Sequence, residues 1–436
     1  MAWSDLPIDI LRCISSHLSI VDLVRLSVVC TSWSFTLANY ALLGFQCCPS
    51  PWLLLSYEVE EASDTLTFRE LTIEREEAVL SFHRRFSSIS SPTYGRRCFG
   101  SKYGWLVTLD KTDLQPHLFN PITKAEISLP SLFTLINPQY APDGSIRISR
   151  NEFFFGIMSD DLRDTYFHKF IVSSNDSSGT VVVIYGITKE LALARLEDPT
   201  WVLGPQLSPY NTEVKQQFED VYYHEENQRF YAITNFSMVL AFDLNGQNVE
   251  LICPNMPNPY HHTRNFYHIY YITFLSGNLL RMERVIDTTF DSYYNSTTRD
   301  VFVSKFVSAV VTSSSTTTTA SSSSSSSSYS QWIPINELGG YSIFVGYNQT
   351  FSLHHKAAIG IKPNCIYFAD HSSNLLAGYF DCDVGLFDLY NDLIHCILQP
   401  YPRTKCPPSV WFTPLWVSER IPLVWFECKE YDHTVS

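Results

Sequence analysis

The spacing of apolar residues divides the chain into two textures. Between residue 5 and about 45, Leu6, Ile10, Ile14 and Leu18 recur every four positions with Leu11 beside them, which predicts a short amphipathic helix. Ser19-Ile20-Val21-Asp22 has the form of a capping box, and Leu23, Leu26 and Val29 give the second helix it opens an apolar side. Thr31 or Ser32 can cap a third helix running through Trp33 and Leu37 towards Leu43, before Gly44 and Pro49-Ser50-Pro51 end the pattern. Three helices in so few residues bury little surface, so a partner is expected to complete their core.

From Trp52 onward the texture changes to short runs of β-branched and aromatic residues bounded by Gly, Pro, Asn and Asp. TLTFRELTI, YGWLVTLD, EFFFGIM, TVVVIYGI, RFYAITN, MVLAFDL, HIYYITFL, VFVSKFV and CIYFAD all read as strands, a density that implies a sandwich, barrel or propeller. An aromatic, an Asn or Asp and a third non-polar residue recur after an apolar strand at Phe119-Asn120-Pro121, Phe242-Asp243-Leu244 and Phe387-Asp388-Leu389. The intervals are 123 and 145 residues, the second falling to 128 without the 17-residue Ser/Thr run at 312–328. If each interval covers two blades, residues 50–431 hold about six blades of a propeller. The Ser/Thr run has too little apolar surface to offset its ordering entropy and is expected to be a disordered loop between neighbouring strands.

The bulk numbers narrow the function. Apolar residues make up 45% and charged residues 17%, a globular composition. A formal net charge of −14 argues against phosphate-backbone binding, so no nucleic-acid partner is expected. The opening MAWSDLPIDI is acidic where a secretory signal would be basic, and no segment approaches about 18 uninterrupted apolar residues. The expectation is a soluble protein of the cytoplasm and/or nucleus, without a membrane partner. Eleven scattered cysteines, among them Cys365 and Cys396 in apolar runs, then read as reduced, buried thiols. The sequons at Asn175, Asn235, Asn295 and Asn348 read as chance.

LPIDILRCISSHLSIVDLVRLSVVCTSW resembles the F-box: Leu6-Pro7 opens it, Asp22-Leu23 stands in the second helix, and Val29-Cys30 closes it with Trp33 three residues on. Thr31, Ser32 and Ser34 stand where that family often has basic residues. The remainder resembles plant F-box proteins with a KIB-type, kelch-like propeller, through YGWLVTLD with PHLFNPITKAEISLP, NQRFYAITNFSMVLAFDLNG, and the series INELGGYSIFVGYNQTFSL, NCIYFAD, GLFDL. The resemblance implies an α+β multidomain chain: an F-box over 1–45 and an all-β propeller over 50–431. It further implies a non-catalytic substrate receptor of an SCF-type ubiquitin ligase, bound through a Skp-family adaptor to a cullin and holding an unknown protein substrate. The adaptor contacts it carries over are Leu6, Pro7, Ile10, Leu11, Leu23, Val29, Cys30 and Trp33, each of which either meets the partner or holds the three helices together. An interaction scaffold outside a ligase and a propeller enzyme remain the competing readings.

Catalytic and metal chemistry find no constellation. The chain has no Gly-rich phosphate loop, GxSxG elbow, HExxH or paired CxxC. His224-Glu225-Glu226 lacks a second His and reads as a hairpin turn; Asp381, Asp383 and Gly385 miss calcium-loop spacing and read as a turn before a strand. His261-His262 and His354-His355 are adjacent, and neighbours on a strand point to opposite faces, so no metal or cofactor is expected. Cys47-Cys48 is uninformative. Trp201, Tyr210 and Tyr260 could face a ligand from propeller loops, although packing is the commoner role for such aromatics.

Overall fold

The computed structural model describes residues 6–15, 26, 29–33, 36, 51–55, 65–73, 80–81, 85–90, 96–100, 102, 104–110, 114–136, 139–140, 146–150, 153–157, 162–163, 166–174, 179–207, 216–254, 266–287, 297–311, 327–356, 360–369, 383–397 and 409–413. The N-terminal helix is Ile8–Ser15, with Asp9 in its first turn, where the helix dipole favours an acid. Pro7 starts it: its carbonyl accepts from the amides of Ile10 at 3.0 Å and Leu11 at 3.1 Å. Helical backbone recurs at Leu26, Thr31–Trp33 and Thr36, while the capping box at Ser19–Asp22 lies outside the described residues.

The rest is a propeller, as expected. Five of its sheets are built from consecutive strands. The first pairs Arg97–Gly100, Leu106–Leu109, Pro116–Phe119 and Glu126–Ser128. The second pairs Phe167–Val172, Thr180–Tyr185, Glu190–Arg195 and Val202–Leu203, and the third Phe218–His224, Arg229–Thr234, Val239–Phe242 and Glu250–Cys253. The fourth pairs Phe266–Leu275, Asn278–Asp287, Thr297–Val311 and Ser327–Pro334. The fifth has five strands in the order Phe351–His354, Tyr341–Val345, Cys365–Phe368, Gly385–Asp388, Leu393–Cys396.

A closing sheet joins the two ends of the domain. Val410–Phe412 pairs with Trp52–Leu55, which is followed by Thr65–Glu70 and Arg85–Ser90, with Trp52 opposite Phe412 and Leu53 opposite Trp411. Closure pairs the two ends of the domain, and the sheets keep only the short edges at their outermost strands. Trp52, Phe68 and Phe412 pack with ring centroids 5.4 to 6.0 Å apart, and Trp411 meets Phe344 of the five-stranded sheet edge-on at 5.3 Å. A three-stranded sheet (Gln139–Tyr140, Ile146–Arg150, Phe153–Ile157) and a two-stranded one (Thr72–Ile73, Leu80–Ser81) complete the described strands.

The weak repeat has a physical meaning. Phe119, Phe242 and Phe387 lie at the end of the penultimate strand of the first, third and five-stranded sheets, and each interval therefore spans two sheets. The next side chain caps the turn. Asn120 Oδ1 accepts from the amides of Ile122 and Thr123, Asp243 Oδ1 from Asn245 and Gln247, and Asp388 Oδ1 from Tyr390 and Asn391. Short carboxamide and carboxylate side chains mimic a backbone turn in this way, so the motif marks one architectural corner.

Thr297–Val311 and Ser327–Pro334 are neighbouring antiparallel strands, paired out to Val311 opposite Ser327. The Ser/Thr run expected over 312–328 is thus flanked by a hairpin; its residues 312–326 lie outside the described ones, and Ser327 and Ser328 belong to the strand. Cys98, Cys253 and Cys365 are buried without disulfides, as expected of thiols in apolar strands, but Cys396 is exposed because it ends the outermost strand of its sheet.

One polar group ties the centre together. Asp220 is fully buried; its Oδ1 accepts from Lys169 Nζ at 2.5 Å and from the Val221 amide, and its Oδ2 from the Ile272 amide at 3.0 Å and Thr350 Oγ1 at 2.9 Å. These partners come from three sheets and from Gly346–Thr350, a buried segment between two strands of the five-stranded sheet. The same segment donates from the Gln349 amide to Gly100 O and accepts the Val172 amide on Gln349 Oε1. It therefore lies at the axis, bonded to the first, second and third sheets. Gly100 is obligatory there, since a Cβ would sit 2.5 Å from Asn348 Cβ and 2.6 Å from Trp411 O.

Replacing Asp220 with Ala should destabilise the propeller by about 3 to 5 kcal/mol, because it leaves the Lys169 charge buried without its partner. Urea denaturation of the single variant and of Lys169→Met/Asp220→Leu tests this. The double variant should recover part of the loss, and equal losses in both would show that the ion pair is not the cause.

Candidate functional site

Helix Ile8–Ser15 presents its two faces differently. Leu11 is 1% exposed, and Ser15 one turn later is buried with its hydroxyl donating to Leu11 O at 2.6 Å. Ile10 is 50% exposed, and Ile8 and Ile14 are exposed as well. Val29, after the second helical stretch, is 59% exposed, whereas Trp33 is 8% exposed. A helix this short with apolar side chains on its outer face has buried only one of its two stripes.

The carried-over residues fall into two groups. Pro7, Ile10 and Val29 are exposed and Leu6 and Cys30 half-buried, while Leu11 and Trp33 are buried within this chain, and Leu23 lies outside the described residues. The stripe Leu6–Ile10–Ile14 read from the periodicity is thus the outward one, and Leu11 belongs to the face that holds the segment together. Ile8 was missed by sequence reasoning because it falls between the four-residue steps.

The second site candidate is the propeller axis. A cavity of about 20 Å3, room for roughly one water, is lined by His168, Lys169, Lys189, Glu219, Tyr271, Gly346 and Tyr347. Lys189 Nζ holds both oxygens of Glu219 at 2.8 Å and reaches Tyr267 Oη at 3.3 Å. Burial pushes the Lys189 ammonium down, and the Glu219 carboxylate more than reverses this, so its pKa ends above the ordinary lysine value. Burial, aided by the Lys189 and Arg97 charges and opposed by the bond from the ring to Gly186 O, drives His168 down to about 3. The axial carboxylates are thus spoken for by ammonium groups and amides.

The remaining sequence candidates do not form a site. Residues 225–228 are the hairpin turn after Phe218–His224, as read. Asp383 accepts from Thr298 and Arg284, and Gly385 opens the strand that follows. Trp201 is buried with Nε1 donating to Pro130 O at 2.8 Å, which makes it a packing residue. His261, His262, Tyr210, Tyr260, Cys47, Cys48 and Asp381 lie outside the described residues. The His354-His355 reasoning needs a correction: the strand ends at His354, the chain turns, and the two rings approach to 4.5 Å beside Gly340. Among the described residues no group of three or more His, Cys, Asp or Glu side chains could hold a metal ion.

The profile of the F-box domain matches residues 3–41, and that of the KIB1-4 beta-propeller matches residues 76–388. The chain belongs to the KIB1-4 beta-propeller family. Two Arabidopsis thaliana proteins are similar to this KIB1-4 chain. F-box/kelch-repeat protein At1g57790 is 28% identical over 151 residues, 33% of this chain and 38% of that protein. F-box protein At3g56470 is 26% identical over 137 residues, 31% of this chain and 33% of that protein. The matches span well under half the length of either relative. Among solved structures, TolB from Acinetobacter baumannii is 8% identical with a TM-score of 0.31 over 83% of this chain and 65% of that one, a likeness too low to carry a conclusion. The family and its relatives are those of a plant F-box protein with a propeller.

Two outcomes follow from the geometry. Leu11→Ala and Trp33→Ala should each lower the stability of the N-terminal segment by about 2 to 5 kcal/mol as buried large-to-small changes, whereas Ile10→Ala should leave it within about 0.5 kcal/mol. Hydrogen exchange of the helix amides distinguishes them. Because the folded His168 pKa lies below the unfolded value, the fold holds fewer protons, and its stability is complete above about pH 6.5 and declines as the pH falls from there towards 3. Thermal melts between those limits should show His168→Gln losing less stability on acidification than the wild type; parallel curves would place the acid sensitivity on other groups.

Proposed function

We propose that this chain is the substrate-receptor subunit of an SCF-type ubiquitin ligase, with the helical segment within 1–45 engaging a Skp-family adaptor and the propeller within 50–431 engaging the protein to be ubiquitylated. The observation that carries this reading is the exposed apolar stripe of Ile10 and Ile14, with Val29 exposed as well, inside a segment that matches the F-box. Such a stripe gains free energy when a partner covers it, and a few anchors of this kind dominate an interface. Through the adaptor the chain would reach a cullin and a ubiquitin-conjugating enzyme, and would itself perform no chemistry.

The enzyme reading is disfavoured by the axis. A glycosidase-type site needs two carboxylates able to approach a sugar. Here Asp220 is saturated by four hydrogen bonds and Glu219 is clamped by Lys189. Engagement of a protein partner then falls to the outer strands and loops. A ligase receptor of this kind would work in the cytoplasm or nucleus; among the described residues no helix is long and apolar enough to cross a membrane. A scaffold that binds the adaptor without recruiting a cullin is separated from the ligase reading by ubiquitin transfer to a co-purified partner in a reconstituted complex.

Titration of the full chain with recombinant Skp-family adaptor should give direct binding, and Ile10→Ala/Val29→Ala should weaken it by about 1 to 4 kcal/mol, or very roughly tenfold to several hundredfold. The propeller's unfolding transition should not move. Absence of binding by the intact wild-type protein would remove the ligase reading; normal binding by the double variant would move the contact elsewhere on the F-box.

A further inference from the structure

The axial cavity has more hydrogen-bond donors than the fold uses. An ammonium carries three N–H bonds. All three of Lys189 are occupied by Glu219 and Tyr267. Lys169, whose side chain is 4% exposed, delivers one to Asp220 Oδ1 and has no second acceptor, and its ammonium stands 5.3 Å from the centre of the Tyr271 ring. Tyr271 is 2% exposed; its oxygen faces the Arg284 guanidinium, which can only donate to it, and among the described residues its O–H proton has no acceptor. Arg284, also buried, donates Nε to Thr298 and Nη2 to Asp383 and interacts as a donor with the Tyr271 oxygen. Burial raises the Tyr271 phenol to about 12 although the Arg284 charge opposes the shift, so the hydroxyl stays a proton donor near neutrality.

Buried donors left without an acceptor destabilise the fold, which makes an acceptor in this space favourable. A water would accept from Lys169 and Tyr271 but would bring two protons of its own. The nearest carboxylates are already engaged, Asp220 by four donors and Glu219 by a bidentate ammonium. A ligand that only accepts suits the lining better. Its size is set by the volume of about 20 Å3, close to that of one water-sized particle, which excludes phosphate and sulfate from the enclosed part. Its charge is set by the surroundings: Arg97, Lys169, Lys189 and Arg284 all lie at 5% exposure or less, and the field of Lys189 and Arg97 already disfavours a proton on His168.

We propose that the propeller axis binds a halide-sized monovalent anion, chloride in the cell, held by the Lys169 ammonium and the Tyr271 hydroxyl. The ion would join the second and fourth sheets to the turn at Gly346 and Tyr347, and would brace the ring from within. It would not depend on whether the chain serves a ligase. Bromide is the probe, because it is nearly the same size and scatters anomalously. Crystals of the full chain soaked in sodium bromide should show an anomalous peak in contact with Lys169 Nζ and Tyr271 Oη; an ordered water only, with no anomalous signal, overturns the proposal.

Melting in solution provides the second arm. At constant ionic strength set with sodium gluconate, whose anion is too large to enter, raising bromide from about 1 to about 100 mM should raise the melting temperature by about 2 to 5 °C. Tyr271→Phe keeps the ring and removes only the donor, so it should fold and lose that bromide-dependent rise. Lys169→Met would also unpair Asp220 and is unsuited to this test. Equal melting in bromide and gluconate, or a bromide response retained in full by Tyr271→Phe, overturns the site.

Discussion

The fully buried carboxylate of Asp220 is the point on which the rest of the ring depends. An isolated charge in such a place would be prohibitively costly, and the cost is offset only because four donors converge on it from Lys169, Val221, Ile272 and Thr350. Each donor lies on an element that must be correctly placed before the bond can form. The second, third and fourth sheets and the axial segment are thus tied to one another through a few ångströms of polar contact, while the apolar packing between sheets supplies most of the stabilisation but little directionality. Strand register in these sheets is what puts Lys169, Asp220 and Ile272 at the same height, and a one-residue slip in any of them would leave an ion buried alone.

A closed axis has consequences for function. Many of the groups that could have bound or transformed a ligand along the centre are consumed in holding the sheets together, and the polar chemistry left there is small in scale. The accessible apolar residues lie instead at the periphery, at Val202, Leu203 and Leu251 on the outermost strands of two sheets and at Ile10, Ile14 and Val29 in the helical segment. The polar groups are thus concentrated inside the ring and exposed apolar residues outside it, the distribution that the proposed receptor role would use. Within the helical segment the same division appears on a smaller scale, since Leu11 and Trp33 contribute to local packing and the opposite stripe remains uncovered.

Much of this organisation is legible in the residues. Period-four spacing marks the N-terminal helix, alternating β-branched runs mark the strands, and the Phe-Asn/Asp repeat marks a corner whose turn that side chain caps. The axis is not legible in the same way. It is assembled from Gly100, Lys169, Lys189, Glu219, Asp220, Tyr271 and residues 346–350, which are scattered over some 250 positions and share no local pattern. A faint signal exists: Lys169 in FHKFIV and Glu219-Asp220 in FEDVYYH place charge inside otherwise apolar strands, and strands that bury charge need partners for it. Their pairing could not be foreseen, because it is set by the order of sheets around the ring. Adjacent histidines misled for a simpler reason, since the opposite-faces rule holds only while the strand continues, and the strand ends at His354.

Ring closure also constrains how the chain can fold. The closing sheet needs Val410–Phe412 beside Trp52–Leu55, a pairing across almost the whole domain, and Trp411 then packs on Phe344. Contacts so distant in sequence form late, because the entropy of bringing them together must be met before they contribute. Four of the five sheets of consecutive strands can form from local hairpins, and the fifth adds one parallel pair between Tyr341–Val345 and Cys365–Phe368, but until residue 412 is available Trp52, Leu53 and Leu54 have an unpaired flank. The N-terminal helix has no such long-range requirement, since the bonds from Ile10 and Leu11 to Pro7 and from Ser15 to Leu11 are local. A helical segment whose hydrogen bonds are local and a ring that closes across nearly the whole domain therefore differ in the range of contact each needs.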